Sequence, residues 1–454
     1  MRPGSRVKPG MTFKGRYNMS TNKKEKFKDL IGYGDFSDVY IENSSGLMIR
    51  WEDGQVQSVN RSHDSGVGWR ILNGSETRYA NFSLSKPLPD TLKSEMIANL
   101  KLMGDTTFTN PISKTHPVQI HPQSKSLTDK IELLKLAFDQ AKTGLNVQQV
   151  NVNYGEKVKK IEYINSDGQI FTEEKIYMVF SLMVTVGRDN DLQTAYESMG
   201  GIGGLELLNK ENIRKVAGVV AQRANDKLNA PPAPAGEMPV VIASSAGGTL
   251  IHEAIGHSLE ADAVLEGTSP AYQNKLGQVV GHEKLTVFDN PTVSGKRGSF
   301  YFDDEGVPSE ATVLVDKGVL KDYLYDRKSA IRAQRKSNGH GRRESYAHRP
   351  IPRMSNTYVA PGPDNPQMIV DSLKDGFLVT KMGGGQVNPA TGDFVFEVEE
   401  GFHIKKGERT MVRSATLLGN GPDVLHNMDM IGSDHGWAIG TCGKEGQGAP
   451  VQTR

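Results

Sequence analysis

The sequence predicts an α+β fold: an N-terminal α/β-type domain, then a strand-rich C-terminal domain that carries a metal-site helix. Three observations lead there. Short apolar runs bounded by Gly, Asn and Ser recur between residues 37 and 83 and again from residue 284 onward. Two stretches of helical period, 126–142 and 211–228, lie between them. The segment Ala230-Pro231-Pro232-Ala233-Pro234-Ala235-Gly236 then breaks the chain, and the texture changes beyond it.

Residues 1–29 read as a tail. The first eighteen hold Arg2, Arg6, Lys8, Lys14 and Arg16, no acid, and no apolar stretch of the signal-peptide kind. Met1 and Met19 are alternative starts. The N-terminal domain spans 30–230. Its first strands are 38–42 and 47–51, turning at Asn43-Ser44-Ser45-Gly46, and a third is 67–72. Helix 126–142 spaces Leu127, Ile131, Leu134 and Phe138 by three or four residues and stops before Gly144. Residues 158–186 read as a hairpin turning at Ser166-Asp167-Gly168, with Ile176 to Val186 a buried strand. Helix 211–228 carries Ile213, Val216, Val219 and Val220 on one side. Residues 231–237 are the linker and 238–454 the C-terminal domain. That domain opens with strand 238–243, a turn at Gly247-Gly248, and Thr249 as cap of the metal-motif helix. Residues 311–325 form two arms around Asp316-Lys317-Gly318.

Composition removes several function classes. The chain has 454 residues and a formal charge of +1, which argues against a phosphate-tracking nucleic-acid binder. Mean hydropathy is negative, and no apolar run approaches the length that spans a bilayer. A single cysteine, Cys442, rules out an intrachain disulfide framework. A cytoplasmic location follows by default.

Two imidazoles flank a carboxylate in His252-Glu253-Ala254-Ile255-Gly256-His257, and the lone thiol lies in Gly440-Thr441-Cys442-Gly443-Lys444. Two His and one Cys hold zinc with one position left for water. A free Glu beside that position is the hardware of metal-assisted hydrolysis, with Glu253 the natural general base on zinc-bound water. The histidines are five residues apart, and five residues turn a side chain roughly 140° in an ideal helix. Either a π-bulge absorbs the extra residue or the helix ends early, and Gly256 makes the distortion cheap. Spacing leaves the third ligand open. Cys442 is one choice, with Lys444 helping to keep it deprotonated. Glu260 and Asp262, within about two turns of His257, are the others.

These residues resemble a known family. His252 to His257, followed by Ser258-Leu259-Glu260, is similar to the metal motif of the TldD/PmbA peptidases, on the TldD side. Gly341-Arg342-Arg343-Glu344-Ser345-Tyr346-Ala347-His348 with Pro352-Arg353-Met354-Ser355-Asn356-Thr357 resembles a second block. Gly383-Gly384-Gly385-Gln386-Val387-Asn388-Pro389-Ala390-Thr391-Gly392-Asp393-Phe394 resembles a third, and Gly440 to Lys444 the terminal one. The likeness runs from about residue 30 to the end, in order.

The resemblance implies a zinc peptidase acting on unfolded or short peptides, with His252, His257 and Cys442 as ligands and Glu253 as base. It implies a catalytic subunit that forms either a homodimer or a heterodimer with a metal-free PmbA-type paralogue. Arg342, Arg343, Tyr346, His348 and Arg353 offer donors for a peptide carboxylate or an oxyanion. Gly384 and Gly385 would let an extended peptide pair as an added strand. Two other readings remain: a dipeptidyl-peptidase-like zinc enzyme with a carboxylate third ligand, and a non-catalytic peptide-binding subunit.

Overall fold

A computed structural model describes residues 27–104 and 106–454. Met19 and all but the last three residues of the expected tail lie outside the described residues. The fold is α+β, with helices segregated from mixed sheets.

The N-terminal half is built on one sheet. Its strands are β1 (Phe36–Glu52), β2 (Gln55–Asn73), β3 (Glu76–Ser83), β4 (Ile112–Thr115), β5 (Val147–Asn165), β6 (Ile170–Arg188) and β7 (Asp191–Ile202). They run in the order β3-β2-β1-β5-β6-β4, with β7 also on β6. The polar run Asn43–Gly46, expected to turn, passes straight through β1. It pairs with Ser65–Ser62 of β2 on one side and Lys160–Lys157 of β5 on the other. Ladder bonds on both edges outweigh the local turn preference. The chain reverses instead at Asp53-Gly54, both at positive φ (47° and 88°), as a two-residue hairpin requires. The turn at 166–168 is where the sequence placed it, and Ile176 to Val186 lies within β6.

Two helices, α1 (Leu127–Lys142) and α2 (Lys210–Asn229), cover one face of this sheet. Ser126 and Asp129 close a reciprocal capping box at the start of α1. Leu134, Ile213, Ala217 and Val220 are buried against Val152, Phe180 and Leu182. Val219 is exposed, because the buried stripe of α2 runs through its small alanines. The opposite face meets the C-terminal half. There Phe171 stacks between Tyr163 and Phe302, with ring centroids 5.0 and 4.6 Å apart. Arg70 of β2 is ion-paired to both Asp38 of β1 and Glu305 of the C-terminal half.

The C-terminal half continues with β8 (Val240–Ile242), helix α3 (Ser244–Ile251), β9 (Val287–Asp289), β10 (Thr312–Asp316) and β11 (Val319–Leu320). Then come β12 (Gly341–Arg342), β13 (Ile351–Pro352), β14 (Asn356–Val359), β15 (Asp375–Val387) and β16 (Asp393–Lys405). The last are β17 (Glu408–Val412), β18 (Ala415–Asn420), β19 (Ala438–Lys444) and β20 (Gln447–Thr453). One sheet has the order β11-β10-β9-β14-β20-β19, and another β17-β16-β15-β8 with β18 on β16. The proline segment is pinned beside the second sheet, Ala233 N donating to Arg413 O at 3.0 Å.

Gly247-Gly248 is not a turn. Both glycines lie inside α3, which starts five residues before Thr249, so Thr249 is no cap. A Cβ on Gly248 would lie 2.0 Å from the Arg454 nitrogen. The bare backbone lets the chain beyond β20 cross the helix closely.

Candidate metal centre

Helix α3 delivers the motif. It runs into a π turn over His252–Gly256 and then a 3₁₀ turn over His257–Leu259. The π turn absorbs the extra residue between the histidines, leaving the ring centroids 5.1 Å apart at an interplanar angle of 80°. Gly256 has a packing reason too: a Cβ there would lie 2.0 Å from the buried Met354 sulfur.

Cys442 reaches the same point from β19. Its Sγ lies 3.2 Å from His257 Nε2. One ligand atom from each of His252, His257 and Cys442 lies within 4.8 Å of the others. Among the described residues no other group of three His, Cys, Asp or Glu does so. The donor set fits a metal: two imidazoles and a thiol, each offering one ligand atom to the same point, suit zinc.

The electrostatics agree with that fit. Burial alone would raise the Cys442 thiol, but the two imidazoles outweigh it and pull it down to about 5. Lys444, expected to act on this thiol, instead pairs with Asp262 at 2.7 Å and Glu260 at 3.1 Å. Burial holds Glu253 above the usual carboxylate range, with the imidazoles opposing it; its Oε2 lies 3.8 Å from His257 Nε2. Glu260 does not share the donor cluster. Burial would raise it, but Lys444 and His257 hold it down at about 2, and its Oε2 lies 3.1 Å from His257 Nδ1.

The centre lies in a cleft of about 1410 Å³. Two sheet edges face into it. Lys381 to Val387 of β15 continues beyond its pairing with β8, and β19 is the last strand of its sheet. Gly384 and Gly385 both line the cleft. A side chain at 385 would meet the Phe396 ring at 2.0 Å, whereas Gly384 has open space beside it.

The second family block lies elsewhere. Arg342 donates to the carbonyls of Met354 and Pro450, the latter at 2.9 Å. Arg343 donates to Asp304 O at 2.9 Å and lies over the Tyr40 ring. Tyr346 packs on Gly66 and donates to Asp64 at 2.9 Å, and His348 Nδ1 lies 3.1 Å from Ser345 Oγ. Arg353 donates to Cys442 O at 2.5 Å and Gln447 O at 3.2 Å, behind the thiol. None of these five lines the cleft. Sequence reasoning missed a charged wall that does: Glu197, Glu399 and Glu400, interleaved with Arg223 and Lys381. Its one visible trace is the acid run Glu397-Val398-Glu399-Glu400, twelve residues beyond the glycine triplet.

Fold and site define a metal-dependent hydrolase. Family models described as the PmbA/TldA metallopeptidase domain 1, central domain and C-terminal domain match residues 37–97, 120–230 and 235–451. The chain belongs to the PmbA/TldD metallopeptidase family, and it is a metallopeptidase. It is 33% identical to the metalloprotease TldD homolog of Haemophilus influenzae over 456 residues, covering 96% of this chain and 94% of that one. A Saccharolobus solfataricus protein named zinc metalloprotease TldD homolog is 28% identical over 72% of this chain and 74% of its own. TldE from Thermococcus kodakarensis superposes with a TM-score of 0.71 at 16% identity, covering 95% and 98% of the two chains, a likeness of fold. Among the described residues no helix is long and apolar enough to cross a membrane.

Proposed function

We propose that this metallopeptidase is a zinc enzyme that hydrolyses unfolded or short peptides in the cytoplasm. The observation that carries the reading is the convergence of His252, His257 and Cys442 within 4.8 Å beside Glu253. These three residues would hold the zinc, which, when bound, supplies Lewis-acid activation of water and of the scissile carbonyl. Glu253 takes the proton from the attacking water and passes it to the leaving amine. Burial prepares it for this by raising its proton affinity. The peptide lies extended between the edges of β15 and β19, where main-chain pairing reads little side-chain identity. Arg342, Arg343, Tyr346 and His348 act through the framework, since their partners are protein groups away from the cleft.

A carboxylate third ligand is the second reading. Glu260 is its candidate, and the engagement of its Oε2 with His257 Nδ1 and Lys444 favours Cys442 instead. We place the chain in a dimer, with itself or with a metal-free paralogue of the TldE kind. The test is Glu253→Gln. Zinc content should match the parent while hydrolysis of an unfolded peptide is lost. Persisting hydrolysis refutes Glu253 as the base.

A further inference from the structure

We propose that Glu260, locked in place by Lys444, is the positioning residue that sets how His257 presents Nε2 to the metal. The inference rests on the zinc reading above and extends it to residues outside the donor set.

The chain turns to extended backbone at Glu260, three residues past His257, and folds its carboxylate back under the ring. Its side chain is 2% exposed and its Oε2 lies 3.1 Å from Nδ1. A carboxylate only accepts, so Nδ1 must be the nitrogen that carries the proton. In the neutral ring that a metal requires, the lone pair then falls on Nε2, on the side where Cys442 Sγ lies at 3.2 Å. The pair forms the carboxylate–imidazole arrangement that orients a metal ligand. The two nitrogens sit on opposite sides of the ring, so Glu260 cannot serve Nδ1 and the metal together. His252 has no such anchor: its Nδ1 is buried with no hydrogen-bond partner among the described residues. Orientation by carboxylate therefore falls on His257 alone.

A buried carboxylate holds its place only if its charge is met. Lys444 Nζ lies 3.1 Å from the same Oε2, and is itself gripped by both Asp262 oxygens at 2.7 Å and by Pro352 O at 3.2 Å. Arg353 Nε lies 3.8 Å from Oε1. Two acids thus face two bases. Lys444 follows Cys442 by two residues on β19, which puts both side chains on one face of the strand. Arg353 also holds the Cys442 carbonyl. One strand register therefore fixes both the sulfur and the lock on His257. A slip of one residue would remove both.

The test is zinc affinity, measured by competition with a chromogenic chelator, on parent, Glu260→Gln and Lys444→Met. Glu260→Gln should bind about 10–100-fold more weakly, and Lys444→Met at least about fivefold more weakly. Loaded with cobalt, Glu260→Gln should keep its thiolate-to-metal band while its ligand-field bands shift, because Cys442 remains and His257 turns. Melting of the metal-free proteins separates this from loss of fold. If Glu260→Gln does not fold, Lys444→Met decides. Affinities within about threefold of the parent, with unshifted cobalt bands, overturn the inference while leaving the zinc reading intact. A parent protein that binds no zinc overturns both.

Discussion

Replacing Arg70 with Met tests whether charge, as well as packing, welds the two halves together. Arg70 is 1% exposed. Its Nε and Nη2 donate to Asp38, and its Nη1 to Glu305 across the junction. Both carboxylates are fully buried. Without the guanidinium, Asp38 keeps the Tyr163 hydroxyl at 3.3 Å and Arg343 at 3.6 Å, and Glu305 keeps the Arg327 N–H at 2.6 Å. Methionine fills the volume of the arginine stem, so stranded charge dominates over cavity. Removing one partner of a buried pair costs about 3–5 kcal/mol, whereas a surface pair is worth about 0–1 kcal/mol. The assay is urea unfolding followed by the fluorescence of the three tryptophans, of which Trp69 is fully buried and adjacent in the chain. A loss under about 1 kcal/mol would refute the reasoning. The double change Arg70→Met, Glu305→Gln should recover part of the loss, since the carboxylate across the junction is neutralised while Asp38 still faces Arg343.

Cys442→Ala should fold and lose stoichiometric zinc, read by metal analysis; zinc retained at parent level would exclude the thiolate as a ligand. Asp326→Asn should flatten the dependence of stability on pH. Burial, reinforced by Glu305, pushes Asp326 up to about 7, against about 3.9 for an unfolded aspartate. The folded state then binds more protons between those values, so the group costs nothing below about pH 4 and its full penalty above about pH 7. The variant, whose Asn still caps the following helix, should therefore gain on the parent between pH 5 and pH 8. Parallel melting curves across that range would exclude this role.

Features that depend on near neighbours in the chain are legible in the amino-acid sequence. The capped helix ending at Lys142, the turn at 166–168 and the irregular helix between His252 and His257 all follow from residues within a turn or two. Local preference misleads where distant chain overrides it. Asn43–Gly46 runs straight because strands from residues 62–65 and 157–160 pair on both its edges. Gly248 stays helical because the chain beyond β20 crosses it. Arg342 and Arg343 look like anion grips in one dimension. They prove to be buried, donating mainly to backbone carbonyls.

The donor inventory, two imidazoles, a carboxylate and one thiol, and the five-residue spacing that demands either a π turn or an early helix end are properties of composition and helical geometry. They hold whatever the rest of the chain does. Which group meets His257 is a different matter. Cys442 lies 185 residues away and Glu260 only three, yet the thiol faces Nε2 while the carboxylate goes to Nδ1. That choice is made by the pairing of β19 with β20 and by Lys444 and Arg353. Contacts between distant segments form only when the sheets close, so no local pattern encodes them.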